Sequence, residues 1–145
     1  FKHQIDDGSA MQQISRFHCR DQASLLRLAK EIIRVFSDRL NLRELRKLSS
    51  HAEKDKLGSN KLLQDVLAKK IGEERARQVF GPIVGAYDLR VGDAHPTSSK
   101  IGDALELAGI DESQSYLRQG EQLIHNVGYS VWCIGKLLFE EKGNP

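Results

Sequence analysis

The sequence predicts an all-α fold, arranged as an antiparallel up-and-down helical bundle with a long C-terminal helix. Three observations lead there. Apolar residues recur at three- and four-residue steps through most of the chain, the period of helices that bury one face. Aromatic residues make up only 6% and there are three prolines, which argues against a sandwich or barrel of short strands. The periodic segments are joined by short connections, and four or more such helices close most simply as a bundle around one core. A chain of 145 residues is long enough to bury that core without disulfides or a structural metal.

Residues 1–20 are a lead-in, in which Met11, Ile14 and Phe17 at three-residue spacing fit either a short helix or an extended segment. The chain opens FKHQIDD without a methionine, so it is expected to be either a fragment or a processed form of something longer, with residues 1–20 open to being the end of a preceding region. The helical domain is expected over residues 21–145. Asp21 is a good N-cap, and Leu25, Leu28, Ala29, Ile32, Val35, Phe36 and Leu40 follow it with helical periodicity. Leu42, Leu45 and Leu48 continue as a short helix. The polar run SSHAEKDKLGSN then reads as a surface loop.

Ser59 or Asn60 can cap the next helix, whose inner side is Leu62, Leu63, Val66, Leu67 and Ile71 before Gly72 closes it. Glu73 and Glu74 open another helix with Ala76, Val79 and Phe80, and Pro82 is expected to bend or restart the chain. A helix from Ile83 to about Asp93 follows, with Ile83, Val84, Tyr87 and Val91 as its inner face. Pro96 disfavours helical geometry at His95, and TSSK leads into a short helix with Ile101, Ala104, Leu105 and Ala108. The last helix carries Leu117, Leu123, Ile124, Val127, Val131, Trp132, Ile134, Leu137 and Leu138 and ends near EEKGNP. Its Gly128 and Gly135 either admit a neighbouring helix closely or are simply tolerated.

Net charge is +2, but residues 16–47 hold nine Arg or Lys against four Asp or Glu. Arg20, Arg27 and Arg34, seven residues apart, form a basic stripe that either binds RNA or is a solvated helix face. Cys19 and Cys133 belong to no CxxC pair, and His18, His51 and His125 make no ligand spacing, so neither a metal site nor a cofactor is expected. No run of roughly 20 apolar residues and no signal-peptide layout are present, so no membrane association and a cytoplasmic location with reduced thiols are expected. Tyr87, Tyr116, Tyr129 and Trp132 stand at apolar helix positions and are expected in the core more than in stacking on bases.

The chemistry-bearing pair is Arg90 and His95 in YDLRVGDAHP. Arginine keeps its charge and grips phosphate through parallel hydrogen bonds, whereas histidine gives and takes protons near neutral pH. On an uninterrupted helix the two would point about 140° apart, so a shared site needs the helix to unwind near Gly92 or a second subunit to contribute. Asp88 lies just ahead of the pair and Asp93 inside it, and either they orient it or they make helix-surface ion pairs. Equally ordinary roles exist for Arg90 in a salt bridge to either aspartate and for His95 as a helix-terminal or solvent-exposed group.

DLRVGDAHP resembles the R-x4-6-H signature of the HEPN superfamily, in a chain whose helices over residues 21–140 suit that fold. Val91 stands where many family members carry a polar residue. The resemblance implies a metal-independent endoribonuclease, with attack of the RNA 2′-hydroxyl on the adjacent phosphate. His95 would move the proton and Arg90 would stabilise the charged transition state. It further implies a homodimer with the two motifs facing one another, and a place in a longer defence or toxin-like protein. A helical dimerisation or partner-docking module without catalysis, with or without RNA binding, is the alternative expectation.

Overall fold

The computed structural model of the chain describes residues 19–92 and 98–139. These form six α-helices and no strand, so the chain is all-α. The first, α1 (Gln22–Ser37), starts with a capping box. The Asp21 carboxylate accepts from the Ser24 backbone N–H at 2.8 Å, and the Ser24 hydroxyl accepts from the Asp21 N–H at 3.1 Å. These bonds, the backbone one foremost, hold the Asp21 carboxyl below its ordinary pKa. The buried side of α1 is Leu25, Leu26, Leu28, Ala29 and Ile33.

In α2 (Leu42–Leu48), capped by Asn41, only Leu45 is buried, and Leu48 is turned to solvent. The loop after it contains a short 3-10 turn at Lys54–Lys56. It is pinned to the body of the protein: the buried Ser49 hydroxyl donates to the Asp65 carboxylate at 2.6 Å. Helix α3 (Ser59–Ile71) has Gly58 as its N-cap, not Ser59 or Asn60, and no side chain caps it. Both residues are already inside the helix, and the Asn60 side chain instead accepts from the Ser37 hydroxyl of α1 at 3.5 Å. Gly72, at φ +88°, ends α3 in a backbone region that costs other residues a steric penalty.

Pro82 does not restart the chain. A single helix, α4 (Glu73–Gly92), runs through it. Proline in a helix loses one backbone hydrogen bond, and its ring crowds both the carbonyl four residues back and the Cβ of the residue before it; here that residue is Gly81, so the second clash is absent. Helix α4 is the centre of the fold and packs on α1, α3, α5 (Ser98–Leu107) and α6 (Tyr116–Phe139). Its Phe80, Ile83 and Leu89 are fully buried, as are Leu25, Ile33, Leu62, Leu67 and Leu123 from the surrounding helices.

The inner face of α4 is not the expected one beyond Ile83. Early in the helix Ala76, Phe80 and Ile83 are buried; later the buried residues are Ala86 and Leu89, while Tyr87 and Val91 are 43% and 52% exposed. Tyr87 lies only about 40° round the helix from Ile83, so the buried side itself has shifted. The cause is Gly85. A Cβ there would meet the Ala108 N at 2.5 Å and the Ala104 O at 2.6 Å, so α5 approaches α4 backbone to backbone and covers that flank instead. Gly128 and Gly135 admit no such neighbour: nothing lies within 4 Å of a Cβ built at either.

Helix α5 ends in paired backbone bonds, Gly109 N–H to Glu106 O at 2.9 Å and Ile110 N–H to Leu105 O at 2.9 Å, with Gly109 at φ +70°. Asn126 of α6 donates to the Ala108 and Gly109 carbonyls at 2.9 and 3.1 Å, tying the two helices together. On α6 the buried line is Leu123, Val127, Ser130 and Ile134, and Trp132 sits half a turn from it, 57% exposed. Tyr116 and Tyr129 are exposed as well. All four residues expected in the core, Tyr87 included, are therefore surface residues. Each has an apolar ring in a helix whose actual buried stripe runs along a different side.

Candidate functional site

Arg90 is in the last turn of α4, which ends at Gly92, and its side chain is exposed. The guanidinium carbon lies over the Tyr87 ring, 5.8 Å from the centroid. Both residues line a cleft of about 630 Å³ between α4, the end of α1 and the loop leading into α3. Val84 and, from the loop, Leu57 contribute apolar surface, and the fully buried Phe80 and Ile83 also border the cleft. Lys56, Asn60 and Lys61 bring polar groups from the α3 side.

Three cations and one carboxylate therefore converge on the cleft. Lys56 is in loose contact with Glu53 at 3.8 Å, with both side chains mostly in solvent. Lys61 and Arg90 make no ion pair among the described residues. Asp88, also on the cleft, does not reach Arg90 in an ion pair, and partial burial raises its carboxyl above the ordinary value. The salt bridge open to Arg90 and Asp88 from sequence is thus not formed; the alternative partner, Asp93, lies outside the described residues. Asp93 and His95 lie outside the described residues, as do His18 and the Met11, Ile14 and Phe17 segment.

The structure does not bring the basic stripe to this cleft. Arg27 and Arg34 are exposed on α1, and Arg20, also exposed, precedes its N-cap Asp21; Arg34 faces Asp38 at 3.8 Å, and α1 reaches the cleft only through Ser37. Lys56 and Lys61 were hidden in sequence because they sit on either side of a loop-to-helix junction with no motif of their own. Their only signal was a polar, lysine-bearing run before a Gly58-Ser59 helix start. Of the remaining histidines, His51 accepts from the Glu53 N–H at 3.1 Å and shapes the loop, and His125 is exposed on α6. Among the described residues no group of three His, Cys, Asp or Glu side chains could hold a metal ion. Cys19 and Cys133 are free thiols, and burial, more than any other cause, raises the Cys19 pKa. No described helix is long and apolar enough to cross a membrane.

In comparisons with known proteins, no protein-family model matches the chain, and no curated protein or solved structure does either. The class of the protein is therefore defined by its fold, an all-α domain with a cation-lined cleft along the C-terminal half of the central helix.

Proposed function

We propose that this domain is a metal-independent endoribonuclease of the HEPN type, acting through Arg90 and His95. The observation that carries the reading is the position of Arg90: exposed, without an ion-pair partner among the described residues, and at a cationic cleft five residues before a histidine. The 2′-oxygen attacks the adjacent phosphorus and the bond to the 5′-oxygen breaks, leaving a cyclic phosphate and a 5′-hydroxyl. His95 accepts the 2′-hydroxyl proton. Arg90 binds the non-bridging oxygens, whose charge grows in the transition state, the kind of contact worth most in a dry site.

Entering and leaving oxygens lie on opposite sides of phosphorus, so a second imidazole on the far side serves the leaving group better than the same one. A second copy of the chain supplies it, which is why a homodimer belongs to the proposal. The outer face of α6, with Tyr129 and Trp132 stacked at 5.8 Å and exposed Phe139, is the surface available for pairing. That same face favours a second reading, a helical docking module without turnover. A defence role within a longer protein follows from the family resemblance.

The test is the chemistry of the cut. Incubation with single-stranded RNA in EDTA should yield 5′-hydroxyl and cyclic-phosphate ends, and a substrate carrying hydrogen in place of the 2′-hydroxyl should remain whole. Cleavage that needs a divalent metal, or that leaves 5′-phosphates, refutes the mechanism.

A further inference from the structure

A second pocket, of about 240 Å³, lies where the starts of α1 and α6 meet α5, and it shares no lining residue with the cleft beside Arg90. Leu26, Ile101 and Leu105 close its bottom, each no more than 8% exposed, so they offer little apolar surface and polar groups decide what enters. Those groups are acceptors. Gln119 is 5% exposed, and its amide nitrogen donates to the Gln114 carbonyl at 2.9 Å and the Glu112 carbonyl at 3.4 Å. The two bonds fix the amide's orientation and turn its oxygen away from the loop. That oxygen lines the pocket, is not sealed from it, and accepts no hydrogen bond among the described residues. The Glu112 carboxylate lies against α5 at Gly102, 3.5 Å from where a Cβ would stand, and it too has no ion-pair partner among the described residues. Tyr116 adds a partly exposed ring. The surroundings have the same sign: residues 98–122 hold five Asp or Glu against two Lys or Arg, the reverse of the basic N-terminal part.

We infer that this pocket receives the guanidinium of an arginine presented by a protein partner, with the Glu112 carboxylate and the Gln119 oxygen as its acceptors and the Tyr116 ring beside it. A nearly buried acceptor without a donor is costly, and the ligand that satisfies it must bring N–H groups. Arginine brings only donors, in a planar fork that reaches two acceptors at once and lies against an aromatic ring. An ammonium is a compact, strongly hydrated charge and gains less from acceptors set apart. RNA does not fit, because its phosphates would meet a carboxylate. A hard divalent cation needs roughly six or more oxygen ligands, and no described group of three acidic, His or Cys side chains offers them. The volume is below the roughly 300–1,000 Å³ of sites for drug-sized ligands, so one side chain fills it. The inference goes beyond the ribonuclease reading and does not rest on it, and a partner held here leaves the cleft beside Arg90 open.

The test titrates the isotope-labelled protein with the capped peptide acetyl-Ala-Arg-Ala-amide and follows the amide signals by nuclear magnetic resonance. The Gln119 side-chain amide and the Gly102 and Glu112 backbone signals should move together, with a Kd on the order of 1 mM, the range for so few contacting atoms. The same peptide with neutral citrulline in place of arginine should bind at least about 5-fold more weakly, since it loses the charge and keeps the shape. Glu112→Gln keeps the size of an exposed side chain and should weaken the arginine peptide roughly 1.5- to 5-fold, the range for a solvent-exposed charge pair, with a smaller effect at high salt. Tyr116→Leu should weaken it by about 2- to 5-fold through loss of the ring. Free arginine carries its own carboxylate toward Glu112 and should bind more weakly than the peptide. Signals at the pocket that do not move overturn the inference, as does equal binding of the citrulline peptide or unchanged affinity in both variants with their spectra folded. Tighter binding of free arginine than of the peptide assigns the pocket to a small guanidinium compound and overturns the protein partner.

Discussion

Replacing Gly85 with alanine places a methyl carbon 2.5 Å from the Ala108 N and 2.6 Å from the Ala104 O. Both are backbone atoms, so no rotamer change relieves the contact, and α4 and α5 must part by roughly an ångström to reach ordinary van der Waals separation. That separation loosens the neighbouring contacts of Ala86, Leu89, Ala104 and Ala108, all buried at the same interface. Overpacking of this kind costs about 1–3 kcal/mol, and the immovable neighbours put Gly85→Ala toward the upper part of that range. The helix gains about 0.5–1 kcal/mol from losing an interior glycine, which leaves a net loss of roughly 1–2 kcal/mol. Gly128→Ala on α6 is the internal control. Its methyl group would meet nothing within 4 Å, so the propensity gain should appear almost undiminished. Urea unfolding followed by circular dichroism at 222 nm measures both. Gly85→Ala as stable as wild type, or more so, would refute the close helix approach and the account of why Tyr87 is exposed.

The remaining expectations concern other parts of the molecule. Asp88→Asn should raise the melting temperature at neutral pH: burial raises the Asp88 carboxyl pKa, so ionisation disfavours the folded state. The penalty is absent below the ordinary pKa of 3.8, grows as pH rises toward the folded value and is complete above it, so the gain should vanish in acid. Melting curves across pH check this, and a gain that persists or grows below pH 3.8 counts against it. Asn126→Ala removes the two bonds to the end of α5 and should cost about 1–3 kcal/mol in urea unfolding, since the Ala108 and Gly109 carbonyls lose a partner. Sedimentation should show a dimer at micromolar concentration and a monomer for Trp132→Glu; a wild-type protein monomeric throughout would remove α6 as the pairing face.

The helical class was legible because its signal is periodic and long. Asp21 announced α1 as a good N-cap, and the structure adds Ser24 as the reciprocal partner. Errors arose where a distant contact decides the outcome. Pro82 reads as a helix break when taken alone, and the helix continues because Gly81 offers it no Cβ and α4 is packed on four sides. Tyr87, Tyr129 and Trp132 carry rings that favour burial, but a ring's burial depends on which flank the neighbouring helix covers. That is fixed at Gly85 on α4 and by the Leu123, Val127, Ser130 and Ile134 line on α6. At the site, Arg90 stood out by its residue type and its spacing from His95. Lys56 and Lys61 did not, since their meaning comes from the fold of a loop across from α4.

The central claim, that Arg90 and His95 cut RNA, is tested most directly by Arg90→Ala and His95→Ala assayed side by side on single-stranded RNA in EDTA. Each variant should retain the wild-type helical signal, because Arg90 is exposed and belongs to no described ion pair. His95→Ala should slow cleavage by about 10²- to 10⁴-fold through loss of proton transfer, and Arg90→Ala by at least as much through loss of charge stabilisation. Wild-type rates in both folded variants, or no cleavage by the wild-type protein of any single-stranded RNA offered, would contradict the claim.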